Sequence, residues 1–355
     1  MRTYRITFTP TEPYFFGNEK TFRFPDHAVE GQFDTPYFIR SERTPSQTTM
    51  FGAVRYLLLQ NRLPDFSGYP EGYEKIIGEK SFMISDPSQT FGKIQKISPI
   101  FLQLDADTDP GYPKGLYIPT PLDHNVTAVS KKYTPYSRWD LKDGRQYAPE
   151  YDPKGFLPDG YMHPETGTVV PGKDIFTSTV RVGIDIVKKE KAFFKKEYAM
   201  LQSGWSFGIY LTVEDKLEIP GDRTVYLGQN KATFLVDYTE EECALPTLTD
   251  MNAIPDEGCI VCLSDTLADS SIYANASMTI TKIRDHRALE TVYQEKNRQP
   301  RFRKDSVLYK LIKAGSVFWY NTPEKRDQLL QNLQNAHCAV AGMNCFTVFS
   351  AKSYE

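Results

Sequence analysis

The densest set of residues able to do chemistry lies between Arg40 and Arg55. Arg40 and Arg43 lead into Pro45-Ser46-Gln47-Thr48-Thr49-Met50-Phe51-Gly52-Ala53-Val54-Arg55, where Pro45 and Ser46 suit a helix start. Ser46, Gln47, Thr48 and Thr49 fall in the first turn, where backbone N–H groups lack intrahelical partners and the helix dipole favours an anion. With Arg55 two to three turns on, the segment offers the cations and donors that a phosphate needs. The plainer reading is an ordinary capped helix with solvated arginines.

Other segments offer similar chemistry. Lys131-Lys132-Tyr133-Thr134-Pro135-Tyr136-Ser137-Arg138-Trp139 interleaves cations with aromatics. That mixture suits backbone neutralisation plus base stacking, each stacked base being worth about 1–3 kcal/mol. It also suits a loop whose aromatics pack on a neighbouring protein. Asn230 and Lys231 follow Gly228 in a turn and are further candidates. The window Lys282–Lys304 holds eight cations against three anions. Such a run reads as a solvated face, a groove wall or a subunit contact.

Catalysis has thinner support. His27, His124, His163, His286 and His337 show no metal spacing. His27 and His124 lie in polar loops and would suit an acid/base pair for RNA cleavage. Phosphate loops and the zinc-protease and serine-hydrolase signatures are missing. No catalytic residue, metal or cofactor is expected. Cys259 and Cys262 form a C-x-x-C within an apolar run that has no second ligand pair, so they read as buried strand thiols.

Composition sets the frame. The 355 residues are 40% hydrophobic and 25% charged, with a formal net charge of -3. A free-standing nucleic-acid binder is usually basic, although the local field at a groove is what governs binding. The 22 Tyr and 22 Phe mostly read as core. Five cysteines, an odd count, with Met1–Pro10 alternating as a strand, give the expectation of free thiols in a reducing cytoplasm. No apolar run approaches the roughly 18 residues of a membrane span.

Tyr4–Phe8 alternates as a strand, and Met50, Val54, Leu57 and Leu58 recur at helical spacing. Small Gly52 and Ala53 would let that helix approach a sheet. Phe82–Ser85, Ile97–Leu104 and Gly115–Pro121 read as strands. Lys131–Gly172, rich in Pro, Gly and Tyr, reads as a long surface insertion. Beyond it, Val180–Ile186, Glu197–Gln202 and Phe207–Val213 read as strands, the last two as neighbours. Thr224–Val236 reads as a hairpin about Gly228, with further strands at Cys259–Ser264 and Met278–Ile283. Thr322–Asn335 reads as a helix, and Gly342–Phe349 as a turn and strand. The expected class is α+β, with residues 1–130, a loop-rich 131–172 and residues 173–355 as the units.

The helix segment Pro45-Ser46…Gly52-Ala53-Val54-Arg55 resembles the opening helix of the CRISPR-associated RAMP superfamily. Tyr117-Ile118-Pro119-Thr120-Pro121-Leu122-Asp123, Thr179–Asp185, Leu227–Ala232 and Ala314–Phe318 are similar, in order, to elements of the Cmr-type third subunit of type III-B effector complexes. Two positions depart from that pattern. Gln229 stands where a second glycine is expected, and Met343 where an aromatic is. The resemblance implies two ferredoxin-like, RRM-related domains with a long loop insertion. It implies a non-catalytic protein that holds the 5′ handle of a guide CRISPR RNA. It also implies contact with the large polymerase/cyclase-like subunit and with a backbone RAMP subunit. The alternative reading is a metal-independent endoribonuclease that processes guide precursors.

Overall fold

The computed structural model describes residues 1–17, 37–60, 72–105, 112–125, 134–155, 158–185, 192–217, 223–247, 254–293, 300–304 and 307–350. The protein is mixed α/β, with mostly sheets and few helices.

Alternation builds the largest sheet. In Arg2–Pro10, Tyr4, Ile6 and Phe8 are buried while the residues between them reach toward solvent. This strand lies between Trp205–Val213 and Ala232–Glu240, antiparallel to both, with Ile6 opposite Ile209 and Tyr238. The order runs Val169–Pro171, Gly160–Met162, Gly115–Pro119, Phe101–Leu104, Trp205–Val213, Arg2–Pro10, Ala232–Glu240, Thr224–Leu227, with Ile94–Ile97 also paired to Trp205–Val213. The helix Gln47–Gln60 closes the inner face. Its Met50, Phe51, Val54 and Leu57 share a core with Ile6, Phe8, Leu102, Phe207 and Phe234. Each side chain buried this fully contributes about 1.5–3 kcal/mol. Gly52 has open space where a side chain would stand, whereas Ala53 is buried in the shared core.

The expected division at 131–172 does not fall between sheets. Trp205–Val213, Thr224–Leu227 and Ala232–Glu240 complete the sheet that Arg2–Pro10 begins. Gly160–Met162 and Val169–Pro171 extend the same sheet from Gly115–Pro119, and Met162, Val169 and Val170 are buried. Part of the expected surface insertion is therefore core. Two other expectations change as well. Phe82–Ser85 is irregular, with the Phe82 ring stacked on His337 at 4.8 Å between centroids. Glu197–Gln202 and Phe207–Val213 fall in different sheets.

A second sheet is ordered Met278–Ile280, Val317–Tyr320, Gly258–Cys262, Phe346–Ser350, antiparallel throughout. With the helices Ile272–Asn275 and Pro323–Leu333, its main elements run strand, helix, strand, strand, helix, strand along the chain. Thr322 caps the longer helix by accepting from the Lys325 N–H at 3.3 Å, and Leu329, Leu330 and Leu333 form its buried stripe. Cys259 and Cys262 share a strand but are three apart, so they face opposite sides. Cys259 packs with Val317 and Trp319, while Cys262 packs with Leu329 and Leu330. Burial pushes the Cys262 thiol up to about 12, which keeps it protonated. The basic window is folded into two strand pairs, Ile283–His286 with Tyr309–Ile312 and Leu289–Tyr293 with Pro300–Lys304. Arg284 in it pairs with Asp265 at 3.1 Å. No helix among the described residues is long and apolar enough to cross a membrane.

The segments 117–123 and 314–319 meet and join the two sheets. The Leu122 N–H donates to the Gly315 carbonyl at 2.9 Å. Gly315 has φ +88°, and a Cβ there would stand 2.9 Å from the Thr120 carbonyl oxygen, so only glycine fits. The Asp123 carboxylate accepts from Trp319 Nε1 at 2.9 Å and meets His124 Nδ1 at 2.8 Å. The Arg138 guanidinium lies 3.4 Å from the centroid of the Trp319 ring.

Candidate functional site

The candidate site is built on a small third sheet. Phe176–Asp185 and Ala192–Leu201 form a long antiparallel hairpin, with Phe176 opposite Leu201 and Asp185 opposite Ala192. Tyr37–Arg40 runs parallel along the open side of Ala192–Leu201, with Arg40 beside Glu197. The hairpin is anchored below by the pairing of Tyr14 with Ala199 and by the Tyr14 hydroxyl, which donates to the Arg43 carbonyl at 2.7 Å.

One face carries a cleft of about 230 Å³ lined by Arg40, Ser41, Arg43, Phe176, Ser178 and Glu197, among others. The Arg40 guanidinium lies 5.0 Å from the Phe38 ring centroid, and that of Arg43 5.7 Å from Phe176. Arg40 also meets Glu197 at 3.1 Å, and Arg43 bonds to Asp159. The Arg40 side chain is 71% exposed and that of Arg43 46%. Gly172 permits this arrangement, because a Cβ there would stand 2.7 Å from Arg43 Nη1. The cleft thus presents two flat cations and the Ser178 hydroxyl beside aromatic faces, while the Ser41 hydroxyl is held by the Phe16 N–H and the Glu42 carbonyl. Single-stranded RNA needs that set of groups.

Alternation puts Lys196 and Tyr198 on the opposite face from Glu197. There the Gly228 turn closes against Phe15. The Gln229 N–H donates to the Phe15 carbonyl at 3.0 Å, and a Cβ on Gly228, at φ +78°, would stand 2.5 Å from that oxygen. Lys196 donates to Gln229 Oε1 at 2.8 Å and Asn230 Oδ1 at 3.2 Å, and Asn230 Nδ2 donates to the Tyr198 hydroxyl at 2.6 Å. Arg181 lies over Tyr198 at 4.8 Å.

The structure therefore gathers Arg40, Arg43, Asn230 and Lys231 about one hairpin. The expected cradle at the helix start is taken up by internal bonds. Ser46 Oγ accepts from the Thr49 N–H at 3.2 Å and meets the Thr48 hydroxyl at 3.1 Å. Gln47 is buried, bonded to the Ser98 carbonyl at 2.7 Å. Arg55 is a correction. It is 7% exposed and donates to the carbonyls of Ile77 and Gly78 at 3.0 and 3.1 Å. It ties two helices together and does not face a ligand. Arg55→Ala should lower stability by about 2–4 kcal/mol, seen in urea unfolding, without changing RNA affinity per folded molecule. Arg138 serves the joint on Trp319. Lys131, Lys132 and His27 lie outside the described residues. His124 is buried against Asp123. Sequence reasoning missed Phe38, Phe176, Arg181, Lys196 and Tyr198. Their only signal was alternation within three strands.

Comparison with known proteins places the chain in a family. A family model described as CRISPR-associated protein (Cas_Cmr3) matches residues 6–258, more than two thirds of the chain. The Ala314–Phe318 segment lies beyond that match. No curated protein matches the chain. A chain in a cryo-EM structure of the Type III-B Cmr-beta bound to cognate target RNA covers 98% of this chain and 96% of its own length, at 11% identity and a TM-score of 0.45. Another, in the complex with target RNA and AMPPnP, covers 93% and 90%, at 12% identity and 0.44. A chain of the Csm3-Csm4 subcomplex of the type III-A CRISPR-Cas interference complex covers 90% and 93%, at 9% identity and 0.36. The assignment rests on the matched sequence: the chain belongs to the Cas_Cmr3 family of CRISPR-associated proteins.

Proposed function

We propose that this protein is a non-catalytic, RNA-binding subunit of a cytoplasmic type III-B CRISPR effector complex. It holds the 5′ repeat-derived handle of the guide RNA and bridges the large polymerase/cyclase-like subunit to the backbone RAMP subunits. Family membership supports the place in the complex. The cleft beside Tyr37–Arg40 carries the RNA part, because its two exposed guanidinium groups each lie over a phenyl ring. Their carboxylate partners are no obstacle. Exposed ion pairs are worth about 0–1 kcal/mol, so a phosphate competes for both arginines. The strand orders support reading both large sheets as ferredoxin-like, the first with Arg2–Pro10, Phe101–Leu104, Trp205–Val213 and Ala232–Glu240 as its four strands. A non-catalytic role fits His124, whose ring is committed to Asp123 in the joint.

Nuclease protection of the handle tests this reading. Complex assembled with the native chain should shield the first guide nucleotides, and complex lacking the chain should not. Equal protection in both would refute it. A specific cut in repeat RNA that disappears in His27→Ala or His124→Ala would favour the endoribonuclease instead.

A further inference from the structure

Lys196 is an unusual residue in this hairpin. It is 9% exposed, and among the described residues its ammonium has neutral partners: two side-chain amide oxygens, the face of Phe15 at 4.0 Å and that of Tyr198 at 5.4 Å. Burial lowers its pKa, so the charge is held at a cost. Among the described residues no carboxylate lies within ion-pair distance of Lys196, Arg181 or Lys231, whereas Arg40 and Arg43 each have one. Methionine would fill the same space without that cost. The ammonium does what methionine does not: it orders Gln229 and Asn230, and with them Lys231, which sits exposed at φ +52°. Arg181 is opposite Lys196 across the hairpin and is also exposed. Among the described residues the result is a positive corner without a carboxylate partner, on the face away from Arg40.

We infer that Lys196 is a positioning residue that fixes the Gly228–Lys231 turn so that Lys231 and Arg181 form a second phosphate subsite for single-stranded RNA. This rests on the RNA-binding reading above and adds a separate anchor on the other face of the hairpin. A strand in both places would pass around the hairpin and keep its bases free of this corner.

The test is the salt dependence of guide binding by the assembled complex. Each phosphate that a single strand no longer has neutralised lowers the slope of log K against log salt by about 0.7. Arg181→Ala and Lys231→Ala should each do so. Lys196→Met should match Lys231→Ala, and the two together should lower the slope no further. Asn230→Ala, which removes one of the two amide oxygens through which Lys196 holds the turn, should act likewise and serves if Lys196→Met does not assemble. Unchanged slopes in Arg181→Ala and Lys231→Ala would overturn the subsite. Full additivity of Lys196→Met with Lys231→Ala would overturn the positioning role. Arg40→Ala separates the two readings. If it alone lowers the slope, the handle reading stands and this inference fails. If no variant lowers it, both fail.

Discussion

The double variant Arg40→Ala/Arg43→Ala should bind guide RNA about a hundredfold more weakly in the assembled complex, with a salt slope smaller by about 1.4. Each arginine is placed to make charge-assisted bonds to phosphate, and exposure holds each one to the low end of the usual range. Removing both guanidinium groups then gives about two decades. The aromatic faces under the guanidinium groups add a discriminating control. Arg40→Lys/Arg43→Lys keeps both charges but loses the planar stack on Phe38 and Phe176. It should retain the native slope while losing several-fold in affinity. Electrophoretic or fluorescence titration at several salt concentrations reads both effects. Native affinity in the double alanine variant would empty the cleft of its role.

The largest stability effect should come from Asp123→Ala. The carboxylate is 1% exposed and holds Trp319 Nε1 and His124 Nδ1 at once. Its removal weakens the hold on two buried polar groups at the joint between the sheets, where Arg138 also stacks. A loss of about 3–5 kcal/mol is expected, read as a lower urea midpoint with little change in slope. Asp123→Asn keeps an acceptor for the indole N–H and should cost clearly less. Equal midpoints for the alanine variant and the native protein would show that the joint does not hold the two sheets together.

Much of this architecture was legible because local pattern and tertiary structure agree. Arg2–Pro10 alternates and is half buried, and Thr322 with Pro323 starts a helix that ends with its leucines in the core. The misses follow from what a linear pattern omits. Strand partners are set by topology, so Phe207–Val213 sits beside Arg2–Pro10 and not beside Glu197–Gln202. Three-residue strands such as Gly160–Met162 are too short to show a period. Arg55 lies on a helix face that curls toward the end of Glu74–Ile77, where two free carbonyls await a donor, and nothing in its neighbours signals that. Lys196 drew no notice in the sequence, because its meaning comes from Phe15 and Asn230, both remote in sequence. The candidate site was half readable. Arg40, Arg43, Asn230 and Lys231 were named from their types, but the hairpin that gathers them was visible only once folded.

Photocrosslinking most directly tests whether this hairpin is where the guide lies. A guide carrying a zero-length crosslinker in its 5′ handle, bound in the assembled complex, should attach to peptides from 37–43 and 176–201. Crosslinks confined to other parts of this chain, or to other subunits alone, would contradict it.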